Sequence, residues 1–254
     1  MLVVLAAVVV FALGGYVITH ADSVPRAGEI LGSPTLATVS TTSSPAPHPK
    51  ESPPPVVVFL GDDYTSGSGA TATSARFTTV LCAALGATEV NLGAAGTGYA
   101  KTASAGDYLT RVARVVAAKP DVVVVSGGRN DVTDDPDTLA TDARQLFAEL
   151  HDKLPAAMII AVAPFWGDSD PGSDLETVRT SVRQAVKAAG ATFLDIPDPL
   201  HGHPEWMADQ ANPNDAGYAA IAAALEKKLR PLVRSAGPAS TTLPSASVSP
   251  SASS

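Results

Sequence analysis

Val56-Val57-Val58-Phe59-Leu60-Gly61-Asp62-Asp63-Tyr64-Thr65-Ser66-Gly67 is the stretch that decides the fold. Its first five residues are apolar without alternation and stop at a glycine, as a strand buried on both faces of a parallel sheet does. Downstream the chain alternates. A helix is predicted over residues 74–85, a short strand over 89–92, and a helix from an Asp107 N-cap to Lys119. The β-branched run 122–125 predicts a third strand. Asp135-Pro136 then supplies an N-cap and a proline at the first helical position, and Leu139, Leu146, Phe147, Leu150 and Leu154 share one face of the helix that follows. Strands over 158–162 and 192–196 flank a helix over 173–189, and Asn214 caps a last helix reaching Leu232. Strict β-α-β alternation predicts a three-layer α/β/α domain: a doubly wound parallel sheet of about five strands with helices on both faces. Ligands of such sheets bind at the carboxyl ends of the strands. The loops after the first three strands, and the loop before the last helix, are therefore where chemistry is to be sought.

Outward from this domain, residues 56–235, the composition changes. Residues 22–55 and 236–254 are rich in Pro, Ser, Thr and Ala without apolar periodicity, and read as an extended linker and a disordered tail. Residues 1–19 carry no charged side chain, a length at the lower end of what spans a bilayer. A secretory signal peptide competes, with Thr19-His20-Ala21 as a cleavage site. The apolar run is long for a signal and no basic stretch opens it, which favours a transmembrane anchor over 1–21. Either reading puts the domain outside the cytoplasm, anchored to the membrane or secreted after cleavage near Ala21.

A net charge of −8 with no Lys/Arg cluster argues against nucleic acid as a partner. Cys82 is the only cysteine, which excludes an intrachain disulfide and a cysteine zinc site; in its apolar run it reads as core.

The four loops carry four short motifs in order: Gly61-Asp62-Asp63-Tyr64-Thr65-Ser66-Gly67, then Asn91-Leu92-Gly93-Ala94-Ala95-Gly96, then Gly127-Gly128-Arg129-Asn130-Asp131, and finally Asp209-Gln210-Ala211-Asn212-Pro213. Together, over residues 56–234, they resemble the SGNH hydrolases, also called GDSL esterases, a family with a flavodoxin-like sheet. The resemblance implies ester hydrolysis. In that family the first block reads G-D-S-x-(S/T)-x-G with serine as nucleophile. The second block gives an oxyanion glycine and the third, G-x-N-D, an oxyanion asparagine. The last, D-x-x-H-P, gives the triad acid and base. Carried over, Gly96 and Asn130 are the oxyanion donors and Asp209 is the triad acid. Asp63, however, stands at the nucleophile position, and Asn212 stands at that of the base. The resemblance implies no cofactor, and a small-molecule, glycan or lipid ester as ligand.

Serine attack needs a hydroxyl and a base to take its proton, and an amide cannot be that base. Two placements are open for the Asp63 carboxylate. It either repels a developing oxyanion, or fills the hole itself, accepting from the Gly96 N–H and the Asn130 amide. It reads better as a structural cap than as a nucleophile. Arg129 is expected to pair with Asp63 or Asp131, or to bind an anionic ligand. His201-Gly202-His203 has a spacing that suits two imidazoles on a metal, but no third ligand beyond Asp209 is evident, so no metal is expected. Trp206 and Met207 either line an apolar pocket or simply pack. Three functions follow: a binding domain that has lost hydrolysis, an esterase using Asp63 or Asp209 by an unorthodox route, or a structural envelope protein in which the cleft is irrelevant.

Overall fold

The computed structural model describes residues 52–236. The anchor-or-signal segment 1–21, nearly all of the linker and the tail lie outside the described residues. Among the described residues no helix is long and apolar enough to cross a membrane.

Five strands form one sheet: β1 (Val56–Gly61), β2 (Thr88–Gly93), β3 (Val122–Ser126), β4 (Met158–Val162) and β5 (Thr192–Leu194). All neighbours are parallel and the order is β2-β1-β3-β4-β5. Side chains along a strand alternate between faces, and the core follows that alternation. Val58, Leu60, Val123 and Val125 pack with α3 (Val112–Ala117), α4 (Pro136–Lys153) and α5 (Ser173–Ala188). Val57, Phe59, Val122 and Val124 pack on the other face with α2 (Phe77–Leu85) and α6 (Asp215–Ala236). Both faces of the inner strands are covered, so their sequences are apolar throughout and the doubly wound expectation holds.

The predicted caps are in place. Asp135 accepts from Thr138 N at 2.9 Å with Pro136 opening α4, and Asn214 accepts from Ala216 N and Gly217 N at 3.0 and 3.1 Å. Three elements differ from expectation. The helix expected from residue 74 begins as a 3-10 turn, Thr73–Ala75, and Arg76 is extended before α2 starts. The helix expected from Asp107 likewise opens as a 3-10 turn, Leu109–Arg111, with Asp107 accepting from Thr110 N at 2.8 Å; it ends at Ala117, just before Lys119 takes a left-handed φ of 49°. The edge strand β5 stops at Leu194 rather than residue 196. Ala163 N donates to Leu194 O, and the Asp195 carboxylate turns outward to Arg179 and Arg183.

The sequence order reverses between β1 and β3, and the loops leaving those strands diverge there, opening a crevice. Two unforeseen elements sit at it: α1 (Asp63–Ser66), a single helical turn directly after β1, and a 3-10 turn, Arg129–Thr133, after β3. Close packing of α1 on the sheet requires glycine at the strand ends. A Cβ on Gly93 would lie 2.4 Å from Ser66 N and 2.6 Å from Thr65 C, both backbone atoms that cannot swing away. Gly93→Ala should therefore lower the chemical-denaturation midpoint by the equivalent of about 2 kcal/mol, the usual cost of overpacking. An unchanged midpoint would mean that α1 is not seated on β2 in this way.

Candidate active site

At the end of β1 the Asp62 carboxylate caps α1, accepting from Tyr64 N at 3.1 Å. The cap is thus Asp62 and not Asp63, whose side chain turns to the neighbouring loops. Asp63 Oδ2 accepts from Gly96 N at 2.8 Å and from Asn130 Nδ2 at 2.9 Å. Gly96 takes a φ of 72°, a left-handed conformation that aims its N–H at the carboxylate. Asn130 Nδ2 also donates to Thr97 O at 3.0 Å, which fixes the orientation of the amide. Three loops, after β1, β2 and β3, therefore converge on one carboxylate oxygen.

Two buried charges brace this convergence. Asp131, 1% exposed, accepts from the successive backbone N–H groups of Tyr99, Ala100 and Lys101 at 3.0, 2.8 and 2.9 Å. Burial pushes its carboxyl above the usual range, against the lowering effect of those three donors. Arg111, 3% exposed, donates to Gly61 O at 3.0 Å, Leu92 O at 2.5 Å and Thr97 Oγ1 at 2.7 Å. It ties the ends of β1 and β2 to the turn that carries Gly96. Sequence reasoning missed Arg111, although the signal was present: a cation one helical turn before Val115, on the face that Val112 and Val115 bury.

The loop before α6 is a separate local network. Asp209 Oδ1 accepts from Ala211 N and Asn212 N at 2.7 and 2.8 Å, and Asn212 Nδ2 lies 3.2 and 3.1 Å from the two carboxylate oxygens. The Asn212 side-chain donor, with the backbone N–H groups of Ala211 and Asn212, holds the Asp209 carboxyl below its ordinary range. The structure thus brings Asp63, Gly96 and Asn130 together, and Asp209 with Asn212, but gives no hydrogen bond between the two groups among the described residues.

Arg129 pairs with neither Asp63 nor Asp131. Its Nη1 donates to Ala211 O and, at 3.3 Å, to Tyr64 Oη, linking the loop after β3 to the loop before α6. The guanidinium lies over the rings of Trp166, at 5.0 Å, and Tyr64, at 5.9 Å. The two histidines diverge. His203 reaches Glu205 at 2.9 Å and stacks on Trp206 with centroids 3.8 Å apart, whereas His201 lies near Ser169 O and Asp170. Trp206 is thus packed against His203, and Met207 reaches toward Gly167. A groove of about 560 Å³ runs along the loops after β4 and β5, lined in part by Pro164, Leu175, Pro197 and His201.

Residues 59–220 match the GDSL-like lipase/acylhydrolase family. The chain belongs to that family. It is 31% identical over 193 residues to a GDSL lipase of Mycobacterium tuberculosis (strain ATCC 25618 / H37Rv), covering 70% of this chain and 80% of the relative. Among solved structures it is similar to a family two carbohydrate esterase from Clostridium thermocellum in complex with cellohexaose, with a TM-score of 0.59, 18% identity, and coverage of 73% of this chain and 66% of that one. It is also similar to the lipase/acylhydrolase from Enterococcus faecalis, with a TM-score of 0.55, 20% identity, and coverage of 70% and 96%. These structures share the fold, and the domain is of the esterase/lipase type.

In this GDSL-family domain the invariant consequence of geometry is charge crowding behind the site. Asp62, 4% exposed, has its carboxyl raised from 3.8 to about 7, first by burial and then by the neighbouring Asp63 carboxylate. The folded state therefore favours the protonated form. That stabilisation is complete below the unfolded value near 3.8 and is lost as pH rises through about 7, on the order of 4 kcal/mol across the interval. Asp62→Asn keeps the oxygen that caps α1 and removes the titration. The wild type should lose stability relative to Asp62→Asn between pH 4 and pH 8, read from denaturation midpoints at each pH. Parallel pH profiles for the two proteins would refute the buried-carboxyl assignment.

Proposed function

We propose that this chain is an extracytoplasmic, envelope-anchored GDSL-type domain that has lost hydrolysis and binds an acyl or acetyl ester carried on a glycan or lipid. The observation that carries this reading is the Asp63 carboxylate between Gly96 N and Asn130 Nδ2. On the motif reading Asp63 stands at the position of the nucleophilic serine, and those two donors are the oxyanion hole. The hole is then filled by the protein's own anion. A substrate oxyanion within about 4 Å of that carboxylate would be repelled by roughly 4 kcal/mol at an effective dielectric near 20.

The base position supports the same conclusion. Asn212 directs its amide N–H groups at Asp209 and has no site that takes up a proton at neutral pH. Attack by Asp63 itself would require its carboxylate to leave both donors and a base to activate water for the second step. Asp209 is poorly suited to that task, since its oxygens accept from its own turn. The ligand class is supported by the neighbours: one similar structure is a carbohydrate esterase holding cellohexaose, another an acetyl xylan esterase from Butyrivibrio proteoclasticus. The extracytoplasmic setting rests on the uncharged apolar segment 1–19, as anchor or as signal cleaved near Ala21.

Hydrolysis of 4-nitrophenyl acetate by the whole chain tests the reading. The wild type should be no faster than Asp63→Ala, in which the hole is emptied. Asp63→Ser with Asn212→His should exceed either single replacement by about a thousand-fold, because nucleophile and base act as a unit. Wild-type turnover that Asp63→Ala abolishes would overturn the proposal and make Asp63 a nucleophile.

A further inference from the structure

If Asp63 fills the oxyanion hole, an ester carbonyl cannot enter it, and a ligand must be recognised by the outer wall of the crevice. Arg129 is a cationic residue of that wall. It opens the 3-10 turn Arg129–Thr133 in the loop after β3 and immediately precedes Asn130, so it stands beside the hole. It forms no ion pair among the described residues. Asp209, on the facing loop, accepts from Ala211 and Asn212 instead. Asp198, behind Trp166, accepts from Trp166 N, Gly167 N and Leu200 N. Asp209 acts on Arg129 through space without reaching ion-pair distance, so among the described residues no carboxylate contacts the half-buried guanidinium, and burying it without a direct partner is costly.

The guanidinium is also held in a fixed pose. Nη1 is engaged by Ala211 O and Tyr64 Oη, and the plane is flanked by the Trp166 and Tyr64 rings. Nε and Nη2, by contrast, donate to no acceptor among the described residues. Their N–H groups form the side-on edge of the guanidinium, the fork that matches the two oxygens of a carboxylate. An arginine held on one edge and without an acceptor on the other is pre-organised, so little side-chain entropy is lost when an anion arrives.

We infer that Arg129 is an anion-recognition residue, and that the ligand of this site is an ester that also carries a carboxylate group. The inference rests on the self-filled hole proposed above. It makes the carboxylate, and not the ester carbonyl, the feature read by the site, with the Trp166 ring alongside the chain that joins the two groups.

The test uses the whole chain and a matched pair of probes, monomethyl succinate and dimethyl succinate, which differ by one negative charge. Titrations are followed by the NMR signals of the Arg129 Nε–H and the Trp166 indole N–H. Monomethyl succinate should shift both signals and bind at least about ten-fold more tightly than the diester. Arg129→Gln should erase that preference, and Arg129→Lys, which keeps the charge but not the fork, should retain only part of it. Equal binding of the two probes, or no movement of the Arg129 signal at saturating monomethyl succinate, overturns the inference. The wild-type titration decides this alone should a variant fail to fold. Methanol released in the same samples would refute the loss of hydrolysis without bearing on the anion site, so the two failures are distinguishable.

Discussion

The guanidinium of Arg111 is buried among backbone oxygens where β1 and β2 end, and the architecture of the crevice depends on it. Parallel strands finish with carbonyls pointing into the loops beyond them; Gly61 O accepts from Ala94 N at 3.0 Å, and its remaining lone pair, with the carbonyl of Leu92, is open to a side-chain donor. Arg111 donates to both carbonyls and reaches Thr97 Oγ1 from the same group. One residue therefore fixes the spacing between the loop that bears Asp63 and the turn that bears Gly96. Asp131 does the complementary work, gathering the three N–H groups that follow the turn. A Cβ at Gly98 would lie 2.3 Å from Asp131 Oδ2, so the chain approaches this carboxylate more closely than a side chain permits. The buried cation serves acceptors and the buried anion serves donors. Neither is paired with the other, and the turn that carries Gly96 lies between them.

Such bracing explains why the site holds its form around a carboxylate. Asp62, Asp63 and Asp131 bring three acidic groups to the end of β1 and β3, and the burden falls unequally. Asp63 has two donors in the crevice, Asp131 has three backbone donors, and Asp62 has one backbone donor and complete burial. The group with the least compensation is the one whose ionisation is most strongly opposed.

Much of this was legible in the sequence. The uninterrupted apolar runs of β1, β3 and β4 report burial on both faces, and Asp135-Pro136 and Asn214 mark helix starts by a mechanism that acts within one turn of chain. The four motifs placed Asp63, Gly96 and Asn130 at converging loops, and the structure brings them together, with Asp63 Oδ2 accepting from Gly96 N and Asn130 Nδ2. What was not legible is non-local or too short. A helical turn of four residues such as α1 has no periodicity to read. The partner of Arg129 is a backbone carbonyl 82 residues away, with no side-chain signature. Where β5 stops depends on the Asp195 carboxylate meeting two arginines of α5, which only the packed layers bring together.

On the proposed reading, the two departures from the family's motif have a common physical character. An emptied hole would leave the Gly96 N–H and one Asn130 N–H without an acceptor in a partly buried crevice, a loss of about 1–3 kcal/mol for each unsatisfied group. The carboxylate of Asp63 accepts from both. In the other loop Asp209 needs a donor from the position three residues on, as it would from an imidazole N–H. The Asn212 amide supplies one within 3.2 Å of each oxygen. Each residue thus keeps the hydrogen-bonding role of its position and removes the ability to transfer a proton there. Stability and catalysis make different demands on the same atoms: the loops require donors and acceptors in place, whereas hydrolysis requires a proton that can leave one and return from the other. The loops around Asp63 and Asp209 meet the first demand, with each carboxylate accepting from at least two donors.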